Sequence, residues 1–163
     1  MEKANYQRLL ELADQLFNTK SDPEQLDVNE LVIATLHEIS PVLVHEHQIE
    51  HEAVAWITLI PSNKALTEAF IQGTLTEKNY FEKSVELDHF DTIYLCSAIV
   101  LEEFRHQGIV SQHCKKAIEQ MRSKHPIDQL AAWPFTAEGL SCAKAIAHQV
   151  GLPLILKSTT DLK

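Results

Sequence analysis

The 163-residue sequence contains few glycines, prolines and cysteines, and it has no long hydrophobic run. Only four glycines and six prolines accompany an apolar content of 45 %, a composition that excludes fibrous and disordered chains and predicts a compact core. The chain shows neither an apolar stretch of membrane-spanning length nor a basic-then-apolar leader. We therefore expect a cytoplasmic protein with one domain, residues 1–163.

Basic residues are also scarce. The sequence has 14 lysines and arginines against 23 aspartates and glutamates, which gives a formal net charge of −9. Such an excess of negative charge disfavours nucleic acids and anionic membranes as partners. It favours a cationic acceptor such as an amine.

The three cysteines, Cys96, Cys114 and Cys142, fall inside predicted strands or helices and lack the spacing of a metal site. We expect them to be reduced thiols in the core.

Hydrophobic periodicity and turn signals predict an ordered series of elements. Ser62, Thr76 and Thr136 are the expected N-caps of three helices, and Gly151 is an expected helix stop. The series comprises helices at 4–18 and 28–39, a hairpin at 42–48 and 53–60, helices at 62–72 and 76–85, a strand at 92–101, a helix at 109–122, a strand at 128–135 parallel to the preceding one, a helix at 137–150 and a short strand at 154–156.

The centre of this series is a buried strand that turns directly into a helix through a short polar segment containing Gly108. Such a turn directs free backbone N–H groups and the positive end of a helix toward one point, which predicts an anion site.

Residues 100–110 read V-x-x-E-F-R-x-x-G-I-x, which resembles the pyrophosphate loop of the GNAT superfamily of N-acetyltransferases, V-x-P-E-Y-R-G-K-G-I-G. Glu102, His106 and Val110 depart from that pattern, standing for its proline, first glycine and last glycine. The resemblance implies acetyl-CoA as acyl donor. The implied cofactor-binding residues are the backbone of Ile99, Val100 and Leu101 for the thioester and Arg105, His106, Gln107, Gly108, Ile109, Val110 and Ser111 for the pyrophosphate.

The resemblance also implies a GNAT-like α/β fold with a mixed sheet: N-terminal helices, a hairpin, then βαβαβ. Two differences from that fold are expected. The helical pair at 62–85 is an addition before the central strand, which we expect to cover the acceptor site as a lid. Only one strand follows the last helix where the family has two, so either a strand is missing or the partner of a homodimer supplies it.

No catalytic residue is assigned by the sequence. Aligning Gly151 with the family's last-helix pattern places Ala147 where many members carry an acidic tyrosine. Ser141, Cys142 and His148 lie nearby, but Cys142 also suits a core position and His148 a surface position. Glu102 and Glu103 are close to the loop and equally suited to a solvated or structural role.

A metal site is the alternative suggested by His45, His47 and His51. Two histidines spaced by two share one face of a strand, and the third lies across the turn, so the three together could bind zinc. The simpler interpretation is a solvated surface, and no metal is predicted.

Aromatic residues mark one further location. Trp133 and Phe135 end the second parallel strand, at the edge where open α/β sheets bind ligands, and form either a wall for an acyl or acceptor group or part of the core. Trp56 on the hairpin is expected to be a core residue.

These observations support the hypothesis of an N-acyltransferase that moves acetyl from acetyl-CoA to a small amine, a protein N-terminus or a lysine. An inactive GNAT-fold module that binds acyl-CoA or another protein is the alternative, and the 105–108 turn could also be ordinary turn chemistry. A metal-dependent hydrolase is the third hypothesis.

Overall fold

A computed structural model describes residues 3–17 and 22–158, and in these ranges six α-helices surround a five-stranded sheet. Residues 18–21 and 159–163, which include parts of the predicted first helix, the following loop and the polar tail, lie outside the described residues. The helices are α1 (Asn5–Phe17), α2 (Glu30–Ile39), α3 (Lys64–Ile71), α4 (Glu77–Ser84), α5 (Ile109–Arg122) and α6 (Ala137–Val150); the strands are β1 (Val44–Ile49), β2 (Glu52–Ser62), β3 (Thr92–Val100), β4 (Gln129–Ala132) and β5 (Leu154–Leu156).

The sheet is mixed, and its strands lie side by side in chain order. β1, β2 and β3 pair antiparallel, whereas β3 and β4, and then β4 and β5, pair parallel. The predicted α/β class, the hairpin and the parallel pair after it are therefore confirmed. None of the helices in the described residues is long and apolar enough to cross a membrane.

Short-range signals in the sequence set most helix boundaries. Thr76 and Thr136 accept hydrogen bonds from the N–H groups of Asn79 and Gly139, as N-caps do, and Gly151 ends α6 with a left-handed φ of 69°. These three predictions are confirmed. Helix α2 begins at Glu30, later than the expected residue 28, because Asn29 is its N-cap and accepts a hydrogen bond from the Val32 N–H.

Ser62 was expected to cap the third helix, and this prediction is wrong. Asn63 takes the cap, accepting from the Leu66 N–H, while Ser62 is the buried last residue of β2. Its Oγ lies 2.7 Å from Oγ of Ser84, which ties the sheet to the end of α4. The serine therefore serves tertiary structure instead of local helix initiation.

The hairpin between β1 and β2 closes through a two-residue turn. Glu50 and His51 both have left-handed φ values, of 53° and 69°, and Ile49 pairs with Glu52 across the turn. A turn with both central residues in this conformation matches the twist of antiparallel strands.

Helices cover both faces of the sheet. Helices α5 and α6 contact each other on one face of the sheet, where Leu95 and Cys114 of α5 line the same cleft. Tyr94, the preceding residue of β3, points to the opposite face and donates a hydrogen bond to Glu77 of α4. Helix α1 packs against β2 and β3 over a small cluster formed by Leu9, Ala53, Ile99 and Leu101.

In the described residues one strand follows α6, as predicted from the sequence. β5 is the only strand after α6 in the described part of the chain, and it forms the parallel edge of the sheet. β4 is shorter than predicted: its pairing ends at Ala132, and Pro134 has no N–H with which to extend a ladder.

Candidate functional site

The two central parallel strands separate halfway along β3. Thr92 through Leu95 pair with Gln129 through Ala132, and beyond that point β3 pairs only with β2. The separation coincides with a bulge, because Thr58 pairs with Ser97 and Leu59 with Leu95, which leaves Cys96 without a partner in the ladder. Bulges bend a strand and end or redirect its pairing. The second half of β3 therefore leaves one edge uncovered.

A cleft of about 110 Å³ fills the space between the separated strands. Its walls are largely apolar, and they include the beginnings of two helices: Val110 and Cys114 from the first two turns of α5, and Thr136 and Gly139 from the start of α6. This is the carboxyl edge of parallel strands, where open α/β sheets bind ligands.

The predicted anion loop enters α5 beside this cleft. Gly108 is the N-cap, with a left-handed φ of 77°, and His106 is also left-handed at 64°. The N–H groups of Ile109, Val110 and Ser111 have no hydrogen-bond acceptor among the described residues. A β-carbon at Gly108 would lie 3.2 Å from Nε2 of Gln112. The expected strand-loop-helix frame is therefore present, and its first helical amides are unpaired.

Arg105 does not extend freely from this loop. Its Nε donates to the Val100 carbonyl oxygen at 3.0 Å, and its Nη1 lies 3.7 Å from Oε2 of Glu138 on α6. These contacts join the end of β3 to α6 and partly neutralise the guanidinium. His106 and Gln107, by contrast, are exposed.

The turn before the loop is anchored to α1. The guanidinium of Arg8 donates to both carboxylate oxygens of Glu103, at 2.6 and 2.8 Å. This bond lowers the pKa of Glu103 from 4.5 to about 2. Glu103 thus has a structural role, as one of the two interpretations of the sequence held, and Glu102 beside it is exposed.

The predicted thioester-binding residues lie farther along β3 than the cleft. Ile99 and Leu101 are buried under α1, and Val100 pairs with Ala55 while its carbonyl accepts from Arg105. The backbone that borders the cleft is Leu95 through Ala98. Of the predicted pyrophosphate residues, Val110 lines the cleft. Its β-branched side chain occupies the position at which the family pattern has its last glycine.

A larger cavity, of about 440 Å³, lies on the α1 side of the sheet. It shares Phe17, Cys96, Ser97 and Phe135 with the cleft, so the two spaces adjoin at the bulge. Its lining combines aromatic rings with carboxylates. The aromatic residues are Tyr6, Phe17, Trp56 and Phe135, and the acidic residues are Asp14, Asp27, Glu46 and Glu77.

The aromatic predictions are resolved in part. Trp133 and Phe135 both line the cleft, with ring centroids 4.7 Å apart, so they form its wall. Trp133 also packs edge-on against Phe70, and its buried Nε1–H has no hydrogen-bond partner within the described chain. Trp56, expected in the core, is only half-buried: it contacts Tyr6 at a centroid distance of 5.1 Å and lines the larger cavity.

The positions considered for a catalytic acid do not converge. Ala147 is buried, whereas His148 and Ser141 are exposed and do not line the cleft. Cys142 lines the cleft, but burial raises the pKa of its thiol above the ordinary value. Burial likewise raises the pKa of Cys96 well above its ordinary value, and all three cysteines are free thiols. None of these sulfurs is poised as a thiolate.

The added helices α3 and α4, predicted to cover the acceptor site as a lid, contribute one residue to the larger cavity. Their aromatic residues, Phe70 and Tyr80, are buried in the core, and Glu77 is the only residue of the two helices that lines the cavity. The cavity is covered by α1, the 25–28 segment and α2. Glu77 was not predictable from the sequence, because an acidic residue just after an N-cap is common in helices and nothing local marks it as buried.

The histidine cluster forms, but with a different third member. Nε2 of His45 lies 3.4 Å from Nδ1 of His47, as expected for one strand face. His113 of α5 stacks on His45 with ring centroids 4.1 Å apart, whereas His51 lies exposed in the hairpin turn. Burial, with His113 and His47 nearby, lowers the pKa of His45 to about 4. The described residues contain no group of three ligands arranged to hold a metal ion.

Similarity to known proteins does not add to this geometry. No protein-family model, curated protein or solved structure matches the chain.

Proposed function

We propose that this protein is a cytoplasmic N-acyltransferase that moves an acetyl group from acetyl-CoA to an amine. The observation that carries the proposal is the parting of β3 and β4 over a cleft that is lined by Val110, in the first turn of the helix that follows the 105–108 loop. The sequence resemblance of residues 100–110 to the GNAT loop supplies the reaction class. Cleft and loop together offer neighbouring places for a thiol arm and a pyrophosphate.

Each part of acetyl-CoA has a candidate partner. The unpaired N–H groups of residues 109–111 and the positive end of α5 favour the pyrophosphate without a metal. The apolar cleft accepts the thiol arm, and the unpaired edge of residues 96–98 provides backbone groups for the thioester.

The larger cavity is the proposed acceptor site. Its carboxylates favour a cation, and its aromatic rings favour an apolar body or the face-on approach of an ammonium group. Because this cavity and the cleft share Cys96 and Ser97, an amine in one would reach a thioester in the other at the bulge. The amine nitrogen would attack the acyl carbon, the C–S bond would break, and the sulfur would leave as CoA thiol.

Binding is the first test. Acetyl-CoA should raise the thermal midpoint, since a ligand that binds only the folded state at a hundredfold excess over its dissociation constant stabilises it by about 2.7 kcal/mol. Gly108→Trp should abolish the shift. Gly151→Trp is the matched control, because Gly151 also has a left-handed φ but no atom within 4 Å of its added Cβ and lies outside the cleft lining. No shift in the wild-type protein at millimolar acetyl-CoA would reject the proposal.

Arg105 favours a second candidate, an inactive module that binds acyl-CoA or another protein. Its guanidinium is already engaged by the Val100 carbonyl and Glu138, so it offers less charge to a pyrophosphate. Binding of acetyl-CoA without release of free thiol in the presence of amines would support this candidate.

A further inference from the structure

Glu77 is the only carboxylate with a buried side chain in residues 3–17 and 22–158, at 6 % exposure. Buried carboxylates are rare unless they are held by partners or serve a function. Glu77 begins α4, directly after its N-cap Thr76, where the helix end favours negative charge. The 24–26 segment and β3 both contact it, so a residue on the added helical pair reaches into the centre of the molecule.

The carboxylate is held in one orientation. Oε1 accepts from the Leu26 N–H at 2.6 Å, and Oε2 accepts from the Tyr94 hydroxyl at 2.5 Å. The backbone N–H of Glu77 donates to the Glu24 carbonyl at 2.9 Å. Each carboxylate oxygen retains a further lone pair, so the group can still accept a proton from a ligand.

This carboxylate lies next to the proposed reaction centre. Glu77 lines the larger cavity together with Cys96 and Ser97, the two bulge residues that also line the cleft. Tyr94, its hydrogen-bond donor, is two residues before Cys96 on β3. The negative charge of Glu77 contributes to the raised pKa of the Cys96 thiol, which reflects their proximity.

The other carboxylates of the cavity differ from Glu77 in their solvation. Asp14, Asp27 and Glu46 are exposed and suit attraction of a cation at the rim. Burial raises the pKa of Glu77 above its ordinary value, an effect that the bonds from Tyr94 and Leu26 partly oppose. A carboxylate with a raised pKa accepts a proton more readily near neutral pH.

We propose that Glu77 is the general base of the acyl transfer, an inference that rests on the proposed function. Its carboxylate takes one proton from the bound ammonium group and passes it to solvent. The resulting neutral amine forms a C–N bond to the acyl carbon as the C–S bond breaks. The second amine proton ends on the departing sulfur, so the products are the amide, CoA thiol and one released proton.

The test measures release of free thiol from acetyl-CoA, with 2-phenylethylamine and spermidine as probe acceptors. Glu77→Gln keeps the size of the side chain. Its amide oxygen can still accept from the Leu26 N–H and its amide N–H can donate to the Tyr94 hydroxyl oxygen, but it cannot accept the proton. We expect kcat/KM for the amine to fall about a hundredfold or more at pH 7. The loss should shrink as pH approaches the amine's own pKa, and the acetyl-CoA thermal shift should persist. Glu82→Gln, an exposed change on the same helix, is the matched control and should retain wild-type turnover.

A purely structural Glu77 would give a different pattern. Tyr94→Phe removes a hydrogen bond that lowers the pKa of Glu77, so the acid limb of the pH–rate profile should move to higher pH. This readout also decides the question if Glu77→Gln fails to fold. Turnover of Glu77→Gln equal to wild type, or an unmoved acid limb in Tyr94→Phe, would overturn the role of Glu77 and leave the proposed function intact. Absence of thiol release by the wild-type protein would overturn both.

Discussion

The two halves of β3 have the same strand conformation but opposite surroundings. Thr92 through Leu95 are paired on both edges, and the first three of these residues are buried. Cys96 has no partner in the ladder, the strand from Ser97 to Val100 is paired only with β2, and Ala98 is exposed. The boundary is the bulge at Cys96, where the cleft and the larger cavity meet.

This contrast shows how one strand can serve both stability and a site. A doubly paired segment buries its side chains on two faces and satisfies its backbone within the sheet. A segment with one unpaired edge gives up part of that burial and leaves backbone groups and space for a ligand. The four predictions below test this division, in order of decreasing expected effect.

We call residues 92–95 of β3 its closed half and residues 96–100 its open half. Truncating a buried side chain in the closed half should have the largest effect on stability. Ile93 is fully buried between β2 and β4. Ile93→Ala should lower the free energy of unfolding by about 2–5 kcal/mol, because it removes buried methyl groups and leaves a cavity. Urea unfolding measures the change. Ser97→Ala in the open half, by comparison, should change it by about 0.5 kcal/mol or less.

Replacing an alanine by leucine tests the surroundings of both halves of β3, at Ala131 of the neighbouring strand β4 and at Ala98 of β3 itself. Ala131 is buried opposite Tyr94, whereas Ala98 is exposed and lines the cleft. Ala131→Leu should cost roughly 1–3 kcal/mol through overpacking. Ala98→Leu should leave stability nearly unchanged and reduce the acetyl-CoA thermal shift. Equal losses of stability in urea titrations of the two variants would contradict the division of β3.

The stacked rings of His45 and His113 should make the stability of the protein depend on pH. His45 pairs with Ile57, which pairs with Ala98, so the stack lies level with the open half of β3. The pKa of His45 is lowered from 6.5 to about 4, so its contribution to stability is complete above pH 6.5 and is lost as pH falls toward 4. His45→Phe keeps a ring against His113 and should flatten the fall in thermal midpoint across this range. An unchanged slope would show that His45 does not titrate as described.

The smallest effect is expected at Glu103, on the surface before the loop. The bond from Arg8 lowers the pKa of Glu103 to about 2, so its contribution is present above pH 4.5 and lost as pH falls to 2. Glu103→Gln should therefore lower the thermal midpoint slightly at pH 6, and the difference from wild type should vanish near pH 2. The effect is small because exposed ion pairs are screened by solvent. A difference that persists at pH 2 would assign the loss to packing instead of charge.

The features that the sequence predicts correctly are set by residues that lie close together in the chain. Thr76, Thr136 and Gly151 act within one helical turn, so their identities were enough to place helix ends. The turn at Gly108 and its frame between β3 and α5 were likewise predictable. The packing of α3 and α4, which bury Phe70 and Tyr80 in the core and place Glu77 at the larger cavity, was not predictable, because the periodicity of a helix shows that one face is buried but not what it packs against.

The sequence by itself determined the α/β class, the order of the elements and the position of the loop, because local backbone preferences and hydrophobic spacing decide these. Only the tertiary structure decided where β3 and β4 part, that His113 joins His45, and that Glu77 is buried beside Cys96. Glu77 and Tyr94 are separated by 17 positions, and Arg8 and Glu103 by 95. Contacts of this kind depend on packing between elements, which no local pattern encodes.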